Sequence, residues 1–116
     1  MVVSDEPGYY EDGNFGIRIE NLLEIQYVKP EHNEEPKEGV EESSSTEKKF
    51  LKFAKLTMIP MQKNLIDFDL ITEAELDWLD TYHEEVFAKV SPLLEVDSSA
   101  MKWLQKSCAK IDRSGL

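Results

Sequence analysis

Glu6 and Glu20 are the residues whose type and placement could do chemistry. Carboxylates are hard oxygen donors and suit divalent cations such as manganese. Two such ions about 3.5–4 Å apart need carboxylates that bridge them. Pro7 steers Glu6 toward extended backbone, and Gly8 allows a tight turn just after it. Glu6 is therefore expected at a strand end and Glu20 within the next strand, where hairpin pairing could bring both side chains to one locus. Arg18 shares the face of Glu20 and could orient a carboxylate from behind. On residue type and spacing alone, the better reading is a turn carboxylate and a solvent-facing strand residue, because surface Glu far outnumbers buried Glu. Two Glu at this separation are unremarkable in a chain with 24 acidic residues.

Positioning these groups falls to the first 28 residues, which read as strands and turns. Met1–Ser4 is a short strand, Pro7-Gly8 and Asp12-Gly13 are turn signals, and Gly16–Tyr27 is rich in Ile and Leu. In that last run Ile17, Ile19, Asn21, Leu23 and Ile25 share one face, and Arg18, Glu20, Leu22 and Glu24 the other. Residues 29–49 carry seven Glu among prolines, a glycine and Ser43–Ser45, so too little apolar surface is available to offset the entropy of ordering. They are expected to form a flexible acidic linker. From residue 50 onward the chain predicts one strand over Phe50–Met61 and two helices. Thr72 and Glu75 form a capping box that starts a helix over Thr72–Val90, with Leu76, Leu79, His83, Val86 and Val90 as its inner stripe. A second helix begins at Asp97 or Ser98 and turns Ala100, Trp103, Leu104, Cys108 and Ile111 to one side. Trp78 and Trp103 are expected to pack the helices together.

Charge and length restrict the function classes. A net charge of −11 over 116 residues argues against nucleic acid and anionic membrane surfaces as partners. No apolar run approaches the length of a membrane span, and the N-terminus lacks the pattern of a signal peptide. The lone Cys108 forms no internal disulfide, which fits a reducing, cytoplasmic compartment. His83-Glu84 lacks a second His at position 87, where Phe stands, so the zinc-protease helix motif fails. His83 reads as a packed histidine, His32 as solvated, and Cys108 as a small core residue.

Longer strings carry more. Glu6-Pro7-Gly8-Tyr9-Tyr10-Glu11-Asp12-Gly13 followed by Phe15-Gly16-Ile17-Arg18-Ile19-Glu20-Asn21 resembles the last metal-binding segment of the Xaa-Pro aminopeptidases, or aminopeptidases P, of the pita-bread metallopeptidase family. Lys55–Pro60, Lys63–Asp67, Leu76–Leu79 and Tyr82–Val86 resemble the C-terminal extension of the eukaryotic cytosolic type.

The resemblance implies an α+β fold: the end of a pita-bread domain (short strands and a hairpin), then a strand and two helices. It implies a catalytic-domain end at 1–28, the acidic linker at 29–49 and the extension at 50–116. It also implies removal of the N-terminal residue from peptides with proline second, using two divalent ions, usually manganese. Glu6 would be a terminal metal ligand and the catalytic proton shuttle, Glu20 would bridge both metals, and Tyr10 and Arg18 would support them. The family draws two further Asp ligands and a His from upstream, and this chain has no counterpart to them. The chain alone is therefore expected to bind metal weakly or not at all and to be inactive. Homodimer contacts, or pairing with a full-length paralogue, are expected of the tail. The alternative is a non-catalytic interaction or dimerisation module derived from such an enzyme.

Overall fold

The computed structural model describes residues 1–28 and 50–114; the acidic linker expected at 29–49 lies outside them. Two compact units are present, Met1–Thr57 and Met58–Leu116.

Among the described residues of the first unit, the regular elements are strands. Strands β1 (Val2–Asp5), β4 (Asn21–Tyr27) and β5 (Leu51–Lys55) form an antiparallel sheet in the order β1-β4-β5, and β2 (Gly8–Glu11) pairs with β3 (Phe15–Arg18) as a separate hairpin. Gly13 closes that hairpin at φ +73°, a left-handed conformation that glycine enters without steric cost. The run Gly16–Tyr27, which reads as one strand, is two: pairing stops at Ile19–Glu20. Pro7 supplies the reason. It sits opposite this break and has no N–H to give the ladder, although its carbonyl still accepts from the Ile19 amide at 3.0 Å. The strand expected over Phe50–Met61 ends at Lys55; the Leu56 amide still donates to the Leu22 carbonyl, but the Leu22 amide turns to the Thr57 side chain instead of a ladder carbonyl, and the strand stops there. None of the described residues of this unit is fully buried, and Tyr9, Phe15, Ile17, Ile19 and Phe53 are exposed.

The second unit holds the core. Helix α1 (Glu73–Val90) starts at a reciprocal capping box: the Glu75 amide donates to Thr72 Oγ1 at 3.3 Å, and the Thr72 amide donates to Glu75 Oε2 at 2.8 Å. Helix α2 (Ser99–Cys108) is capped by Ser98, whose hydroxyl oxygen accepts from the Met101 amide. Leu79, Tyr82, Val86, Leu104 and Cys108 form the buried cluster, with Met58, Met61, Ile66 and Leu94 packed around it. Trp78 and Trp103 are not in it; they stay 49% and 56% exposed. Each lies about 100° around its helix from the buried centre, one residue before Leu79 and Leu104 respectively. Trp78 instead stacks on Tyr82, with ring centroids 5.5 Å apart.

Three buried polar groups tie α1 to its surroundings. Tyr82 donates its hydroxyl to the Ile59 carbonyl at 2.8 Å, and His83 Nε2 accepts from the Met61 amide at 3.0 Å. The imidazole is fully buried, and Nδ1 has no protein partner. Asp80 accepts from the Ile111 amide at 3.1 Å. Arg113 spans Glu73, Asp77 and Asp80 at 3.1, 2.9 and 3.0 Å, fastening the chain's end along α1.

Thr72→Ala removes one half of the capping box and should cost about 1 kcal/mol, read as a lower denaturation midpoint of the helical signal. Burial first, and then the Lys63 charge, hold the His83 pKa below its ordinary 6.5, against an opposing pull from Asp80. The folded chain therefore binds fewer protons than the unfolded chain below about pH 6.5, and stability falls with pH there. His83→Gln lacks this titration, so the stability gap between wild type and variant should narrow between pH 7 and pH 5. A constant gap in parallel melts would refute the assignment.

Candidate metal centre

The strand register, more than any single contact, builds this site. Val2 pairs with Glu24 and Asp5 with Asn21 in one sheet; Gly8 pairs with Arg18 and Glu11 with Phe15 in the other. Both ladders follow one register, with no residue inserted on either side of the break. The same register sets Glu6 opposite Glu20 and Pro7 opposite Ile19, and the Ile19–Pro7 hydrogen bond obeys it.

Alternation along each strand does the rest. Ser4, Glu6, Gly8 and Tyr10 fall on one face of the first arm, and Gly16, Arg18 and Glu20 on the matching face of the second. Side-chain bonds join most of this row. Arg18 donates from Nη1 to Glu6 Oε2 at 2.7 Å and from Nε to Tyr10 Oη at 2.6 Å. The guanidinium carbon lies 5.8 Å from the Tyr10 ring centroid, so ring and cation also interact across the face. A hydrogen bond from Ser4, followed by that from Arg18, holds the Glu6 carboxyl below the usual carboxylate range. Glu20 is exposed in the two-residue link between β3 and β4, where register alone relates it to Glu6.

Three of the four residues singled out from sequence (Glu6, Tyr10 and Arg18) are joined by hydrogen bonds. Among the described residues, no group of three or more His, Cys, Asp or Glu could hold a metal ion. Two oxygen donors on one face fit a share of a hard-cation site and fall short of a whole one. The opposite face of the hairpin is apolar, with the Tyr9 and Phe15 rings 5.9 Å apart. Cys108 is buried, and that burial raises its thiol pKa, so it is inert packing. No helix among the described residues is long and apolar enough to cross a membrane.

The chain belongs to the M24 peptidase family: the model for the C-terminal region of peptidase M24 matches residues 49–111. Within it, the chain is 44% identical over 111 residues to a probable Xaa-Pro aminopeptidase P of Laccaria bicolor, and 45% identical to one of Tuber melanosporum. Each alignment covers 96% of this chain and 16% of the relative, so the chain spans under a fifth of their length. The crystal structure of the X-prolyl aminopeptidase of Caenorhabditis elegans, described as a cytosolic enzyme with a di-nuclear active site, superposes with a TM-score of 0.72 at 32% identity, over 95% of this chain and 16% of that one. The α+β arrangement is thus that of the end of this pita-bread fold.

Arg18→Met should raise the Glu6 pKa toward its ordinary 4.5, followed by carboxyl carbon titration. Because the folded pKa is lowered, the contribution of Glu6 to stability is present above about pH 4.5 and disappears as pH falls through the folded value. An unmoved titration would remove Arg18 from its supporting role.

Proposed function

We propose that this chain contributes Glu6 and Glu20 to the dimetal site of an aminopeptidase acting on Xaa-Pro peptides, the other donors lying outside these residues. The observation that carries the reading is the single register that sets the two carboxylates opposite each other, with Arg18 already bound to one. Glu6 serves as a terminal ligand and as the proton-accepting catalytic carboxylate, and Glu20 as the bridge. Arg18 pairs with Glu6 Oε2 and limits its rotation, while Tyr10 fixes the guanidinium. The all-oxygen contribution favours manganese over softer metals. Two such ions, when bound, supply Lewis-acid activation for peptide hydrolysis. In domain terms, residues 1–28 close the catalytic domain, 29–49 link, and 50–116 form the extension. The single cysteine and the cytosolic structural neighbour favour a cytoplasmic setting.

A second reading rests on a separate observation. The strand unit leaves its apolar side chains exposed, and both tryptophans of the helical unit are half exposed. Such surfaces favour association, as a homodimer or with a full-length paralogue, with or without catalysis.

Purified chain supplied with manganese and an Xaa-Pro peptide should show no turnover. Joined to the upstream part of a relative such as the Laccaria bicolor protein, it should restore activity. In that fusion Glu6→Gln and Glu20→Gln should each lower kcat/KM by at least about a hundredfold, and Arg18→Met by about 10–100-fold. An active Glu20→Gln fusion would end the proposal.

A further inference from the structure

Gly8 opens β2 and Gly16 lies within β3, and neither has the left-handed φ that explains Gly13. A glycine in a strand interior weakens it, so a reason is needed, and Tyr10 supplies one. A Cβ at Gly16 would stand 2.6 Å from Tyr10 Cδ1 and 3.0 Å from Cε1; a Cβ at Gly8 would stand 2.8 Å from Tyr10 Oη. The 2.6 and 2.8 Å approaches are closer than real Cβ atoms come to a neighbour, so the ring would have to shift. Gly16 is the direct cross-strand partner of Tyr10, and Gly8 that of Arg18. The ring therefore lies down across bare backbone, and its hydroxyl end reaches the Nε of Arg18 at 2.6 Å.

We propose that Gly8 and Gly16 form a cradle that acts through Tyr10 as a positioning device for Arg18, and hence for the Arg18–Glu6 pair. The two clashes differ in kind. At Gly16 the obstructing atoms are near the root of the ring, so a methyl group would turn the whole ring away. At Gly8 they are at its tip, so a methyl group would displace the hydroxyl that Arg18 uses. Either change breaks the same bond by a different movement. The functional meaning of the cradle rests on Glu6 being a metal ligand; the cradle itself does not, and the test below needs no metal.

The experiment uses the whole chain as wild type, Gly16→Ala, Gly8→Ala, Tyr10→Ala and the Gly16→Ala/Tyr10→Ala double variant. The spectroscopic signature is the Arg18 Nε–H resonance, protected from exchange by Tyr10. Gly16→Ala should speed its exchange at least tenfold while the hairpin amides of β2 and β3 remain protected. Gly8→Ala should do the same, and it provides the reading if Gly16→Ala does not fold. Local opening of the hairpin, followed by amide exchange, gives the second arm. Gly16→Ala should promote opening when Tyr10 is present and suppress it in the Tyr10→Ala background, where the methyl group meets no ring and alanine is the better strand residue. Unchanged Arg18 Nε–H exchange in both glycine variants would overturn the cradle. So would a Gly16→Ala penalty of the same sign with and without the Tyr10 ring. Inactivity of the fusion enzyme with the cradle intact would instead count against the metal-site reading alone.

Discussion

Antiparallel pairing in one uninterrupted register is the constraint on which the rest of the strand unit depends. Val2 to Glu11 and Phe15 to Glu24 run past each other without a bulge, although hydrogen bonding lapses around Pro7. Opposition of Glu6 and Glu20 follows from counting, because side chains alternate faces with a period of two. The pleat then places Arg18 and Tyr10 beside Glu6 without any special backbone conformation. A single-residue insertion in either link would send one carboxylate to the other face while leaving composition and charge almost unchanged. The placement of these side chains thus depends on the number of residues in the two links.

The two units are held by different physics. Between Met58 and Ser114 the structure follows ordinary globular rules: two capped helices, an apolar cluster, and buried polar groups that find partners. Only Nδ1 of His83 departs from this. Among the described residues of Met1–Thr57 there is no buried cluster; backbone ladders and a surface row of polar bonds define the shape. A sheet with apolar side chains in the open has surface suited to covering by other protein, in keeping with a chain that matches only a small share of its relatives' length.

What could be read from the sequence was mostly local. The capping box needs only Thr72 and Glu75 three residues apart, and it formed as expected. The inner stripe of α1 was legible because its period is regular, and Leu76, Leu79, His83 and Val86 are indeed buried. Tyr82 was missed, since a tyrosine beside that stripe reads as amphipathic until the Ile59 carbonyl is seen to take its hydroxyl. The tryptophans were misplaced because apolar character says nothing about direction, and both stand just outside the buried arc. The break at Ile19–Glu20 was hidden by alternation that continues straight through it; the signal was Pro7, on the other strand. Long side chains acting across tens of residues, such as Arg113 on α1, leave no local signature at all. The role of Gly8 and Gly16 was likewise invisible, because two glycines near turns resemble turn residues until the Tyr10 ring is placed over them.

Arg113 gives the chain's end an unusual status. Glu73 and Asp77 stand one helical turn apart, a like-charge spacing that disfavours a helix, and Asp80 adds a third negative group on the same side. One guanidinium answers all three. Loss of the Arg113 guanidinium would therefore strip the counter-ion from this acidic ridge. The tail behaves as an electrostatic latch whose grip should weaken as salt screens the two outer acids, while the sheltered Asp80 keeps its hold.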